Sequence, residues 1–78
     1  MNDAQIDAAI LAWVQPSWRK VAMVIVTVAD LLGDDFPKGH EGHKIVAKRI
    51  EALASDGRLA HQGNIKKWRF SEVRRVEI

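Results

Sequence analysis

The sequence contains no cysteine among its 78 residues. Disulfide bonds, thiolate metal ligands and cysteine nucleophiles are therefore excluded, and we expect a reducing compartment such as the cytoplasm. The amino-terminal stretch MNDAQIDAA lacks the basic region and long apolar run of a signal peptide, so we do not expect export. The apolar stretch VAMVIVTVADLL is too short to cross a bilayer, and we expect no membrane partner.

Side chains suited to nucleophilic catalysis are also scarce. The hydroxyl groups are those of three serines and Thr27, and none lies in a sharp glycine-flanked turn. The segment GHEG follows no predicted strand and lacks the Lys-Ser/Thr pair of a phosphate-binding loop. The sequence therefore predicts a protein that is not an enzyme and has no cofactor.

The HEGH segment resembles part of a zinc-protease motif, but its spacing is wrong. That motif needs two histidines four residues apart on a helix, with a glutamate after the first. Here His40 and His43 are three apart, and Gly39 and Gly42 argue against a rigid helix beneath them. We predict a solvated polar loop without metal. The alternative is a looser zinc or nickel site, whose ligands would be Asp34, Asp35, His40, Glu41 and His43.

The length of the chain leaves room for one domain with one core, over residues 1–78. A hydrophobic fraction of 47% suits a compact fold and is too high for a disordered tail. The formal net charge of +2 is unevenly distributed, because residues 1–38 carry −2 and residues 39–78 carry +4. A surface that attracts polyanions would therefore lie in the second half.

Apolar periodicity predicts two helices in the first half of the chain. The first covers residues 3–15, with Asn2 and Gln5 as a capping pair. The second covers residues 18–32 and starts behind Pro16, which presets helical geometry. Its β-branched run would also suit a buried strand, but its length and its lack of an internal turn residue favour a helix.

A third helix is predicted over residues 42–55. Its apolar arc would face the core, and Lys44 and Lys48 would lie on the opposite, exposed face. Arg49 falls inside the apolar arc, so it should turn inward and pair with a carboxylate, because an isolated buried guanidinium is costly. We predict Glu72 as that partner.

The segments RLAH and KKWRF flank the turn-rich QGNI and predict a two-stranded hairpin. Strand alternation would place Trp68 and Phe70 on one face, with Lys67 and Arg69 on the other. Three helices followed by a C-terminal β-hairpin is the order of a small α+β winged helix-turn-helix domain. The predicted core consists of Ile6, Ile10, Trp13, Val21, Ile25, Val28, Ile45, Ile50, Leu53, Leu59, Trp68 and Phe70.

Three segments of the sequence are similar to a known family: WRKVAMVI, RIEALASDGRLAHQGN and WRFSEVRRV. Together they resemble the C-terminal module of an uncharacterised bacterial family, a domain of unknown function that is often joined to another uncharacterised domain. The resemblance spans about residues 6–76. It implies a helical module that ends in a small hairpin, and it implies no activity.

Two surfaces are candidates for binding. If the third helix entered the major groove of DNA and the hairpin crossed the backbone, cations on both would meet phosphates: Lys44, Lys48, Lys66, Lys67 and Arg69. Trp18 and Arg19 form a candidate patch for a partner protein. No Arg, Asn or Gln stands near the start of the third helix to read bases, and scattered lysines usually just solubilise a face. We therefore expect a non-catalytic accessory or protein-interaction module; the alternative is weak, largely sequence-independent DNA binding with a regulatory role.

Overall fold

The computed structural model of the protein describes residues 1–76 as a small α+β domain of three helices and a three-stranded antiparallel sheet. Its elements in chain order are α1 (Asp3–Trp13), β1 (Arg19–Lys20), α2 (Val21–Leu31), α3 (Gly39–Ser55), β2 (Leu59–Gln62), a 3-10 turn (Trp68–Phe70) and β3 (Glu72–Arg75).

Helix α1 begins at the predicted capping pair. The Asn2 side chain accepts from the Gln5 backbone N–H at 2.9 Å, and the Gln5 side chain accepts from the Asn2 backbone N–H at 3.0 Å. This reciprocal arrangement satisfies two N–H groups that a helix start leaves without an intrahelical partner, and it confirms the prediction. The helix ends at Trp13, two residues earlier than predicted.

The β-branched second segment is a helix, as its length predicted. Val24, Ile25 and Val28 are buried along one side of α2, where packing outweighs the weaker helix propensity of β-branched residues. The predicted start at residue 18 is wrong, because residues 19 and 20 form β1 instead, and Pro16 lies in a bend rather than opening the helix. No helix within residues 1–76 is long and apolar enough to span a membrane.

Helix α3 begins at Gly39, whereas its predicted start was Gly42 or His43, so the prediction of a polar loop at HEGH is wrong. Gly42 does not weaken this helix; it is buried where the first turns of α3 pack against the preceding segment. A Cβ atom built on Gly42 would collide with the carbonyl oxygen of Pro37 and lie 3.0 Å from the ring of Phe36. Glycine is therefore used here for close approach.

The sheet is not the predicted C-terminal hairpin. Its strand order is β1-β3-β2, so a strand from between α1 and α2 pairs with β3, with Arg19 opposite Val73. Strands β2 and β3 also pair, with Leu59 opposite Arg75, but residues 63–71 separate them. The sequence pattern failed here because β1 has only two residues and owes its conformation to pairing with a distant strand.

One hydrophobic cluster joins all three helices to the sheet. Most of the predicted core residues are buried in it, and Trp13, Ile45 and Trp68 are half-buried against it. Phe70 is 76% exposed, so its placement in the core was wrong. The alternation of Trp68 and Phe70 on a strand does not occur, because both belong to the 3-10 turn. Buried apolar residues that the predicted core did not include are Val14, Val24, Phe36, Val46, Ala47 and Val73.

Candidate nucleic-acid interface

The exposed face of α3 carries two of the predicted cations. Lys44 and Lys48 are one helical turn apart and both are exposed, as predicted, while Val46 and Ile50 of the same helix are buried. A helix repeats about every 3.6 residues, so the two ammonium groups share one side of the helix. They form one half of a positively charged surface.

The second half comes from the connection between β2 and β3, residues 63–71. Internal hydrogen bonds shape this segment: the Lys67 N–H donates to the Asn64 carbonyl at 2.8 Å, and the Lys66 N–H donates to the Asn64 side chain at 3.1 Å. Gly63 has a φ of 78°, and a Cβ there would collide with the carbonyl oxygen of Phe70. The connection is thus an ordered platform, not the tight turn between two strands that was predicted.

The fold brings the two halves together. Lys44, Lys48 and Lys66 line one shallow depression, with Trp68 and Glu51 beside them. An adjoining depression is lined by residues 66–70, so Lys66 is common to both. We call the five predicted cations the basic surface: Lys44, Lys48, Lys66, Lys67 and Arg69.

Within the described residues, most of the charge on the basic surface has no acidic partner. Lys66 approaches Glu51 at 3.9 Å while remaining 78% exposed, which makes a weak surface pair. The other four cations form no ion pair with any residue in the range 1–76. The surface therefore keeps its attraction for an external anion.

Aromatic rings border these cations. Trp68 is half-buried against the core, and the ring of His40 lies 6.2 Å from it, tilted by 36°. Phe70 projects into solvent within the depression that Lys66, Lys67 and Arg69 also line. The exposure of Phe70 was not predicted from the sequence. The available signal was its position in the strongly basic run KKWRF, which is unusual for a strand with a buried face.

Arg49 turns inward, as predicted, but its predicted partner is wrong. Its guanidinium donates to both carboxylate oxygens of Asp7 at 2.8 Å, and it also contacts Asp3 at 3.3 Å. The hydrogen bond to Asp7 raises the pKa of Arg49 above its ordinary value. Glu72 instead accepts from the Gln62 side chain at 2.6 Å, on the sheet. The only arginine of α3 is therefore bound to α1.

A second arginine extends this contact to the start of β2. Arg58 donates to Asp56 at 3.1 Å and lies 3.9 Å from Asp7. The hydrogen bond from Arg58 lowers the pKa of Asp56 below its ordinary value. We refer to Asp7, Arg49, Asp56 and Arg58 as the ion-pair network.

The two histidines of HEGH lie in the first turns of α3. His40 is exposed beside Trp68, and His43 is half-buried along a groove that Val26 and Pro37 also line. Among residues 1–76, no group of three or more His, Asp or Glu side chains is arranged to hold a metal ion. The looser metal site that the sequence left open does not assemble in that part of the chain.

The predicted partner patch has a defined geometry. The guanidinium of Arg74 stacks over the ring of Trp18 at 4.9 Å, and that of Arg19 stacks over Trp13 at 5.4 Å. Trp18 is 38% exposed and stands before β1 rather than in the first turn of α2. Arg19 and Trp18 therefore each take part in a cation–π stack, but with different partners.

No model of a protein family, no curated protein and no solved structure matches the chain. The resemblance to an uncharacterised bacterial family therefore stays a prediction.

Proposed function

We propose that this domain binds nucleic acid through the basic surface. The observation that carries the proposal is the convergence of Lys44 and Lys48 on α3 with Lys66 of the β2–β3 connection around one depression. Lys66 lies in a different segment of the chain from Lys44 and Lys48, and none of the three is needed to fill the core. Cations gathered on one side of a domain, with only the weak Lys66–Glu51 pair among residues 1–76, are typical of a polyanion site.

The order of the elements supports a winged-helix assignment within this proposal. A strand lies between α1 and α2, two strands follow α3, and the last strand occupies the centre of the sheet. In such a domain, α3 would lie in or along a groove and the β2–β3 connection would be the wing that crosses the backbone. The absence of cysteine and the family resemblance are consistent with a domain that works in the bacterial cytoplasm.

The chemistry of the surface favours contacts with phosphates over contacts with base edges. Arg, Asn and Gln read bases with a planar fork of fixed geometry, and the only such residue of α3 is Arg49, which binds Asp7. Lysines meet phosphates as point charges and carry no sequence information. We therefore expect weak, salt-sensitive and largely sequence-independent binding, with log affinity falling per log salt by about 0.9 for each phosphate contact on a duplex and by about 0.7 on a single strand.

The test is fluorescence anisotropy with a labelled mixed-sequence oligonucleotide at low salt. The Lys44→Glu/Lys48→Glu variant should lose measurable binding and keep its unfolding midpoint, because both side chains are exposed. The control is Arg19→Glu/Arg74→Glu, which changes the net charge equally on the partner patch and should retain binding. Absence of binding by the unmodified protein would refute the proposal, and equal loss in both variants would remove its assignment to this surface.

A second candidate function, as a module that binds another protein, is favoured by the Trp18–Arg74 stack. Tryptophan and arginine are enriched among the residues that dominate binding energy at protein interfaces, and here they lie together on the surface. A purified partner should then be lost on Trp18→Ala and kept by Lys44→Glu/Lys48→Glu. The reverse pattern would assign that partner to the basic surface.

A further inference from the structure

Phe70 has the largest exposed fraction of any large apolar side chain in the described part of the chain, at 76%. Singly exposed apolar residues are common and need no explanation by themselves. Phe70 is notable because it shares one depression with three cations. Lys66, Lys67 and Arg69 line the same depression as its ring, whereas Leu31, which is 62% exposed, lies at the end of α2.

The fold holds Phe70 in this exposed position. Its backbone N–H donates to the Lys67 carbonyl at 2.9 Å, and the buried Ser71 side chain donates to the same oxygen at 2.9 Å. Trp68, two residues earlier, packs against the core and anchors the 3-10 turn. Because the backbone of this turn is already ordered, it loses little conformational freedom on binding, which favours recognition.

An aromatic face beside several cations matches the chemistry of a nucleotide with an unpaired base. The base stacks on the ring while the flanking phosphates meet the ammonium or guanidinium groups. In a continuous duplex the base faces are already stacked on each other, so Phe70 would find no partner there. The phosphate contacts would remain, and Arg49, the arginine of α3, is bound to Asp7 and cannot read base edges.

We propose that the basic surface binds nucleic acid with unpaired bases in preference to a duplex, and that Phe70 is the ring on which one base stacks. This inference rests on the proposed function and deepens it by naming the class of ligand. Single-stranded DNA and single-stranded RNA offer the same chemistry to an aromatic ring, so the experiment includes both.

The experiment measures anisotropy at low salt with three probes: a mixed-sequence DNA strand, the same strand annealed to its complement, and an RNA strand of the same sequence. Phe70→Ala should weaken binding of the single strands about tenfold, the expected worth of one stacked base, and change duplex binding by less than about twofold. Phe70→Leu should behave like Phe70→Ala, because it keeps apolar bulk without a π-face, and Phe70→Trp should retain affinity. Leu31→Ala is the control and should change nothing.

The possible failures can be told apart. Duplex affinity equal to that of the single strands, or single-strand affinity unchanged by Phe70→Ala, would overturn this inference, while loss of binding on Lys44→Glu/Lys48→Glu would leave the proposed function standing. No binding to any probe would overturn both. Tighter binding of either single strand than of the duplex, lost on Phe70→Leu, supports the inference and shows whether DNA or RNA is preferred.

Discussion

Helix α3 has cationic side chains on two sides, and the surroundings of these two sides differ in charge. On the side facing α1, Arg49 meets the carboxylate of Asp7 through two hydrogen bonds of 2.8 Å, and Asp7 is only 7% exposed. On the solvent side, Lys44 and Lys48 have no acidic partner among residues 1–76. Arginine suits the first setting because its planar fork matches a carboxylate, and lysine suits the second as a hydrated point charge.

The difference separates charges that hold the fold from charges that are available to a ligand. The ion-pair network connects α1, α3 and the start of β2, so its loss should appear in stability. The basic surface contributes little to folding, so its loss should appear in binding. Adjacent positions such as Lys48 and Arg49 can serve these different purposes because successive side chains on a helix point about 100° apart.

The largest effect is expected from Asp7→Asn. An amide keeps the shape of the side chain but loses the charge, and it leaves the Arg49 guanidinium without its main counter-ion. Removing one partner of a buried charge pair is strongly destabilising, and because both side chains keep some exposure we expect a loss of about 2–4 kcal/mol. Urea unfolding measures it.

The control for this prediction is Asp3→Asn, since Asp3 contacts the same arginine with a side chain that is 71% exposed. That variant should lose less than about 1 kcal/mol. If the two variants lose the same amount, the ion-pair network does not stabilise the fold in the way proposed. Folded Asp7→Asn protein should still bind an oligonucleotide as the unmodified protein does.

The next largest effects are expected at two glycines, one beside the ion-pair network and one beside the basic surface. Gly57, next to the ion-pair network, has a φ of 89° and nothing within 4 Å of a built Cβ. Gly63, next to the basic surface, has a φ of 78°, and its Cβ would also collide with the Phe70 carbonyl. Gly57→Ala should therefore cost about 1 kcal/mol from backbone strain, and Gly63→Ala about 1–2 kcal/mol more.

Unfolding midpoints measure both losses, and the binding assay adds a second comparison. Gly63→Ala should also weaken nucleic-acid binding, because the backbone that positions Phe70 must shift, whereas Gly57→Ala should not. Equal losses of stability would mean that the β2–β3 connection accommodates the added Cβ atom without a cost in free energy. Such a result would contradict its description as an ordered platform.

Much of the helical part of the fold could be predicted from the sequence, because its signals are local. Asn2 and Gln5 are three residues apart, and the length of the segment around Ile25 decided between helix and strand. The exposed positions of Lys44 and Lys48 followed from helical periodicity alone. These features require only neighbouring residues and regular geometry, so a sequence pattern is sufficient to find them.

The sheet and the partner of Arg49 depend on contacts between distant parts of the chain. Strand β1 is too short for any periodicity, and its two residues are extended because they pair with β3. Asp7 is separated from Arg49 by 42 positions. The sequence did hold a signal for that pair, since each is a charge among the apolar positions of its helix, and two such charges of opposite sign could have been matched.

The cations of the basic surface were named from the sequence, but the exposed ring of Phe70 was not. Strand alternation predicted that Phe70 lies with Trp68 in the core. In the structure, the Lys67 carbonyl accepts two hydrogen bonds, and the chain forms a 3-10 turn there and not a strand. The two rings therefore point to different environments. Hydrophobicity alone could not tell which one would be exposed.

The smallest expected effect lies at the exposed end of the ion-pair network and depends on pH. Asp56 accepts hydrogen bonds from both the side chain and the backbone of Arg58, and these lower its pKa below the ordinary value of about 3.9. A carboxyl with a lowered pKa in the folded state adds stability that is fully present above the ordinary pKa. That contribution is lost as the pH falls through the lowered value.

Asp56→Asn should keep the backbone hydrogen bond through its amide oxygen and lose only the charged interaction. Urea unfolding of both proteins from pH 7 to pH 3 should therefore show a small deficit for Asp56→Asn at neutral pH that shrinks below about pH 4, whereas a deficit of constant size would assign the contact to hydrogen bonding without a contribution from charge.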